Sequence, residues 1–361
     1  MLKIINILFF CLALFQCSSS LASSIEHTII SPDWKSQKFP NTFWGMDLAN
    51  VDSDKATEII LLERNALHIA EFEKDKIKIT NSITWKSYLN AVRVFAMDLD
   101  GDGVEEIIIS AVQDGIPASF VLKLKEGKLE YLFKNIKWHL RVIEKSQETE
   151  VQKILIGQSL NSADFFEGNV YEFAYENDKL KRGDELKLPW QVNIFNFAFL
   201  PNQDVAVLKG YAPLKVYNWL EKRYKKVWTS GERLGGTLNV VEAKEREPLG
   251  IAKDGQVAID KEPEVYERGD QLFILAPKHG LPLKNMIGRY PYVRNGQIVG
   301  FKNDESLGFM TSFTTQEMPG FIADFALQQI SAKKTRLFLL VQPDTSAFYQ
   351  YRESVILAYD L

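Results

Sequence analysis

Arg93-Val94-Phe95-Ala96-Met97 runs into Asp98-Leu99-Asp100-Gly101-Asp102-Gly103 and then, past Glu106, into Ile107-Ile108-Ile109-Ser110. Earlier in the chain, Phe43-Trp44-Gly45-Met46-Asp47-Leu48-Ala49 runs into Asn50-Val51-Asp52-Ser53-Asp54 and then, past Glu58, into Ile59-Ile60-Leu61-Leu62, at a constant offset of 48 residues. Each unit reads as strand, acidic turn, strand, because apolar and β-branched runs flank a cluster of Asp and Gly that favours a tight reversal.

Further copies keep the strands and lose the acids. Ile154 to Gly157 repeats the second strand, Phe195 to Leu200 with Val205 to Leu208 form a shortened unit, Leu272 to Leu275 make a fifth, and Phe321 to Leu327 with Leu337 to Val341 a sixth. Short strands at Ser119 to Leu124, Asn169 to Tyr175, Leu214 to Trp219 and Gln297 to Phe301 lie between them. Trp34-Lys35-Ser36, Trp85-Lys86-Ser87 and Trp228-Thr229-Ser230 recur where a fourth strand would end a unit. Four short strands per repeat of this length predict an all-β chain folded as a single β-propeller of four-stranded blades.

Six copies are countable, while the length would fit seven. The charged, proline-containing stretch from Gly231 to Arg289 decides the number, as either an insertion or a seventh blade. Val355 to Leu361 reads as a third strand with none after it, and Trp34-Lys35-Ser36 as a strand with no blade before it. Pairing these two closes the ring and removes its exposed sheet edges. Val216, Trp219, Leu220, Arg223, Tyr224 and Val227 also have helical spacing, but the repeat predicts two strands there with a Glu221-Lys222-Arg223 turn.

The acidic turn has the chemistry of a hard-cation site. Asp98, Asp100, Asp102 and Glu106 offer oxygens at positions 1, 3, 5 and 9, the Val104 carbonyl stands at 7, and Gly103 permits the turn at 6. Calcium takes six to eight oxygens at about 2.3–2.6 Å, which such a loop can collect. Asn50, Asp52, Asp54 and Glu58 fill the same columns in the first copy, but Lys55 replaces the glycine and brings a positive charge. Lys145, Gln147, Thr149 and Lys153 fill them in the third copy, and Gln329, Ser331, Lys333 and Leu337 in the last, so neither predicts a metal.

The strand–DxDxDGxxE–strand unit resembles the FG-GAP (VCBS-type) repeat of integrin-type propellers and bacterial exported proteins. The resemblance extends through Ser110-Ala111-Val112, Gly168 to Glu172, Gly235 to Leu238, Gly320 to Phe325 and the terminal strand, spanning about residues 30–361. It implies a propeller whose blade loops are stapled by calcium, and it brings no assigned activity. The loss of most acidic turns implies fewer calcium sites than the family allows.

The N-terminus has one lysine at position 3, an apolar run from Ile4 to Phe15 and small residues at Ser20 and Ala22. The run is too short for a bilayer core of roughly 30 Å and matches a secretory signal cleaved after Ala22. The expected organisation is a signal peptide over 1–22 and a propeller over 23–361, with no transmembrane anchor after cleavage. Both cysteines, Cys11 and Cys17, lie in the signal, so the mature chain has no thiol; Cys17 before three serines is the candidate position for a lipid anchor.

Of 361 residues, 46% are hydrophobic, enough for a full core, and the net charge of −4 argues against nucleic acid as a partner. His27, His68, His139 and His279 have no zinc-ligand spacing, and no P-loop, dinucleotide fingerprint or nucleophile elbow occurs. Glu242, Glu245, Glu247, Asp254, Asp260, Glu262 and Glu264 read as a solvated acidic loop rather than the paired carboxylates of glycoside chemistry. Tyr290-Pro291-Tyr292, Trp138-His139 and Phe348-Tyr349-x-Tyr351 read as loop aromatics or as core. The resulting expectation is an exported, monomeric, non-enzymatic scaffold in the periplasm or at the cell surface. It would carry one or two Ca2+ ions and present loops to a protein or glycan partner. The alternative is a glycan lyase or hydrolase acting at the central channel.

Overall fold

The computed structural model describes residues 27–361 except 55, 148–149, 160–165, 167, 191, 247–251, 281–292, 332 and 344–352. The N-terminal segment read as a signal, with Cys17, and the clusters at Tyr290 to Tyr292 and Phe348 to Tyr351 lie outside the described residues. Strands account for nearly all regular structure, and there is no α-helix among the described residues.

In chain order, β1 (Thr28–Ile30) and β2 (Trp34–Lys35) precede the first repeat, which is β3 (Gly45–Ala49), β4 (Glu58–Leu62), β5 (Ala66–Glu73) and β6 (Lys76–Thr84). The second is β7 (Leu89–Met97), β8 (Glu106–Gln113), a short β9 (Ile116–Pro117), β10 (Ser119–Lys125) and β11 (Lys128–Ile136). The third is β12 (His139–Gln147), β13 (Glu150–Gln158), β14 (Val170–Glu176) and β15 (Lys179–Glu185). Next come β16 (Phe197–Phe199), β17 (Val205–Val207), β18 (Tyr211–Leu220) and β19 (Arg223–Gly235). A separate hairpin, β20 (Val240–Arg246) with β21 (Ala252–Ala258), leads to β22 (Glu264–Arg268), β23 (Gln271–Gly280), β24 (Asn295–Asp304) and β25 (Gly308–Thr315). The short β26 (Met318–Pro319), then β27 (Phe321–Ser331), β28 (Lys334–Gln342) and β29 (Val355–Asp360), complete the chain.

Within each repeat the strands pair antiparallel in chain order. The fourth and fifth repeats share one ten-stranded sheet only through a single parallel bridge, Gly235 to Lys278. The result is a propeller arrangement of small sheets. Burial falls from inside to outside: β4 and β8 are almost wholly buried apolar runs, whereas β6 alternates and is mostly exposed. A strand buried on both faces reads as continuous hydrophobic sequence, and one with a wet face alternates.

The core is divided into clusters, each between successive sheets. Ile60, Leu62, Ile107 and Phe120 join the first to the second. Val121, Leu155 and Phe197 run through the second, third and fourth. Leu214 with Ile274, then Phe273 with Leu339, carry the packing onward, and Phe338 with Ile59 returns it to the first sheet. β2 pairs antiparallel with β29, Trp34 opposite Ala358 and Lys35 opposite Leu357, as the outer strand of the last sheet. β1 lies parallel to β25.

The stretch from Gly231 to Arg289 splits. Residues 240–258 are the inserted hairpin, and 264–280 supply two strands of the fifth repeat. Residues 216–228 are two strands, as the repeat predicts. Glu221 and Lys222 adopt φ of 52° and 64°, the positive pair that a two-residue hairpin turn requires and a helix cannot contain.

Candidate metal loops and the central charge cluster

The first strands of the six repeats, β3, β7, β12, β16, β22 and β27, line one cavity of about 590 Å3. The approach to the separate hairpin packs against β7. Asn239 donates from Nδ2 to the Val92 carbonyl at 2.8 Å and accepts from Arg64 at 2.7 Å, while Val241 packs into the cluster containing Val92 and Ile194.

Arg93, Arg141, Lys261, Glu262 and Glu264, on the same cavity, belong to a charge cluster. Arg93 on β7 donates from one terminal nitrogen to both Glu262 oxygens at 2.8 Å, and its other terminal nitrogen lies 3.3 Å from Asp324 on β27. Lys261 contacts Glu262, Glu264 and Asp324 at 3.2, 2.7 and 3.2 Å. Arg141 on β12 lies 4.0 Å from Glu262 and donates to the Ile194 carbonyl. Asp324 also accepts the Met46 amide of β3 at 3.0 Å. Arg93, Arg141, Glu262 and Asp324 are at most 4% exposed. Burial alone would neutralise Glu262, but Arg93, Lys261 and Arg141 hold its carboxyl well below the usual range.

This corrects the reading of the 242–264 acids as a solvated loop. Asp260 and Glu262 are buried, and Glu262 and Glu264 face arginine and lysine; the side chains of Glu242, Glu245, Glu247 and Asp254 lie outside the described residues. Sequence reading missed Arg93, Arg141 and Asp324; Arg93 and Asp324 are each the one charge in their first strand, which was the available signal, whereas Arg141 shares β12 with Glu144 and Lys145. On the same cavity, burial raises Asp47 to about 7 despite Lys153 nearby.

The two acidic loops differ in what their oxygens touch. In the second, Asp98 accepts the amides of Gly101 and Gly103 at 2.7 and 2.9 Å, Asp102 accepts that of Val104, and Glu106 accepts that of Leu99. Gly101 and Gly103 hold φ of 77° and 87°, which places those amides toward Asp98. The ammonium of Lys123, on β10, stands 2.7 Å from Asp100, 2.8 Å from Asp102 and 2.7 Å from Glu106. Desolvation opposes its charge, yet the three carboxylates outweigh it and raise the lysine's pKa. Asp98, Asp100 and Glu106 also lie close enough together for one ion.

In the first loop, Asp52, Asp54 and Glu58 come equally close. Glu58 accepts the Val51 amide on one oxygen, while its other oxygen and Oδ1 of Asn50 are buried without a hydrogen-bond donor. Burial, followed by Asp52, Asp54 and Glu71, raises Glu58 to about 7. Lys55 lies outside the described residues. Stranded oxygens of this kind are costly unless something positive meets them, and all four side chains supply the oxygen donors that suit calcium. Of the loop residues assigned from sequence, Asp52, Asp54 and Glu58 come together in the first copy and Asp98, Asp100 and Glu106 in the second, while Asn50, Asp102 and Val104 are not part of those groups; Lys123 was not foreseen.

A second hollow of about 1130 Å3 lies beside β15, β18 and β19. Trp190, 87% exposed, stands on it together with Trp219 and Tyr224, whose rings meet edge-on at 4.9 Å. The Tyr224 hydroxyl donates to the carbonyls of Lys187 and Gln203, which fixes the ring.

The chain matches no protein-family model and no curated protein. Among solved structures it is similar to the crystal structure of Saccharomyces cerevisiae Sqt1, with a TM-score of 0.40 and 8% identity, over 93% of this chain and all of that one. No described helix is long and apolar enough to cross a membrane.

Proposed function

We propose that the chain is an exported binding scaffold of the FG-GAP/VCBS kind: a six-bladed propeller closed by β2 and stapled by calcium at its acidic blade loops. It would present its surface to a protein or glycan in the periplasm or at the cell surface. The count of six is supported by the six first strands around one cavity, and closure by the pairing of β2 with β29. Export rests on the segment before Ser23, and mass spectrometry of the secreted chain tests it.

The observation that carries the binding role is Trp190. An indole 87% exposed beside a fixed Trp219–Tyr224 pair is a large apolar surface left to solvent, of the sort recognition sites use. Trp190→Ala should leave the melting temperature unchanged and reduce at least tenfold the retention of glycan fragments or extract proteins on the immobilised chain. Equal retention by parent and variant would refute this surface.

For the enzymatic alternative, a general acid or base needs a carboxyl free to exchange its proton; Glu262 and Asp324 are each held by Arg93 and Lys261, which leaves Asp47, on the same cavity and raised to about 7, as the carboxyl that reading would use.

A further inference from the structure

We infer that the two acidic loops have opposite needs: Lys123 is a tethered cation that fills the metal position of the 98–106 loop, whereas the 50–58 loop must take a divalent cation from solution. The inference rests on reading these loops as calcium sites and goes beyond it by assigning which loop takes the ion.

Strand register supplies the first argument. Ile107 pairs with Leu122, so the next residues, Glu106 and Lys123, face each other. Ile59 pairs with Ala70, so Glu58 faces Glu71. One β-sheet position thus carries a cation in the second repeat and an acid in the first. An ammonium has three donors and no acceptor, and that of Lys123 reaches Asp100, Asp102 and Glu106, each within 2.8 Å. A calcium ion entering there must displace an ammonium tied to the same chain, which competes at high effective concentration.

Stranded oxygens supply the second argument. Glu58 is 1% exposed, and its Oε1, like Oδ1 of Asn50, is buried with no hydrogen-bond donor among the described residues. Asp52 and Asp54 spend one oxygen each on the amides of Asp54 and Ala56. Carboxylate oxygens of Asp52, Asp54 and Glu58 lie within 4.8 Å of one another, and no cation among the described residues meets them. A hard dication satisfies all of them at once.

The test is calcium stoichiometry on the chelator-stripped full mature chain, by isothermal titration and native mass spectrometry. The expected result is one Ca2+ per chain. Glu58→Gln should abolish it, and Asp100→Ala should leave it unchanged. Lys123→Met should bind a second ion, and Glu71→Lys should weaken the first at least tenfold. Should Lys123→Met fail to fold, Lys123→Gln takes its place, and the Asp100→Ala comparison stands alone. Two ions in the parent, with one lost in Asp100→Ala, would overturn the inference and leave the calcium reading intact. No second ion in a folded Lys123 variant would likewise overturn it. No ion in the parent at millimolar calcium would overturn both.

Discussion

Arg93→Met is the sharpest probe of the channel. Its guanidinium is 2% exposed and meets Glu262 at 2.8 Å and Asp324 at 3.3 Å, tying together strands from three repeats through the Asp324–Met46 bond. Methionine keeps most of the volume but strands two acids that only Lys261 and the more distant Arg141 can then balance. Removing one partner of a buried pair costs about 3–5 kcal/mol. The exposed Lys181–Glu176 pair, at 2.7 Å and about half exposed, should cost about 0–1 kcal/mol when Lys181 becomes Met. Urea unfolding followed by tryptophan fluorescence separates these outcomes. Adding Glu262→Gln should restore part of the loss, with a coupling of roughly 1–3 kcal/mol in the double-mutant cycle. The effect should also survive 0.5 M salt, which screens surface pairs far more than buried ones. A loss no larger than that of Lys181→Met, or a cycle with no coupling, would show that the cluster does not hold the first strands together.

Asp47, raised to about 7, favours folding while protonated and weakens it as pH rises from its ordinary value through 7. Asp47→Asn should therefore gain on the parent by roughly 1–3 kcal/mol between pH 5 and pH 8, and a pH-independent difference in urea midpoint would contradict this. Burial lowers His279 to about 4, so its neutral form supports folding above pH 6.5 and that support drains as pH falls toward 4; the urea midpoint of His279→Gln should change less than the parent's across that window. Gly235 has φ of 75° and would bring a Cβ to 2.3 Å from the Gly210 carbonyl, whereas Gly101, at 77°, meets nothing within 4 Å. Alanine should then cost at least about 3 kcal/mol at Gly235 and about 1 at Gly101, as thermal melts can show. Deleting residues 27–37 removes the amides of Asp33 and Ser36 from the carbonyls of Ala358 and Ile356 and bares the β29 edge; light scattering should report association, and a monomer melting like the parent would refute the closure.

Repeat, strand order and the positions of the acidic loops were legible because they depend on local pattern. The 48-residue offset places β4 and β8, and the Trp85 and Trp228 landmarks fall just after β6 and within β19. Charges that act across the ring were illegible for the converse reason. Lys261 to Glu264 contain Pro263 and follow Pro248 and several surface-type acids in sequence, and nothing local says that Glu262 meets Arg93 from 169 residues away. Lys123 looked like an ordinary strand-end lysine; only the register that sets it opposite Glu106 gives it a role.

The column of Glu58 and Glu106 becomes Lys153 in the third repeat, and its contacts explain how that loop dispenses with acids. Lys153 reaches back to Glu105 at 2.6 Å, and Glu105 takes the Asn50 amide on its other oxygen while donating its own amide to the Asn50 carbonyl. Asn50, Glu105 and Lys153 thus link three successive sheets at one level. Along the chain the balancing cation changes from none among the described residues of the first loop, to Lys123 opposite the second, to Lys153 on β13 in the third repeat. An ion from solution stabilises only as RT ln(1 + [L]/Kd), so it ties the fold to the surrounding calcium. A lysine in the chain acts at any concentration. Calcium dependence should therefore be confined to the first sheet and its contacts with its neighbours, and amide exchange with and without chelator should change in β3 to β5 while β8 to β10 stay as they were.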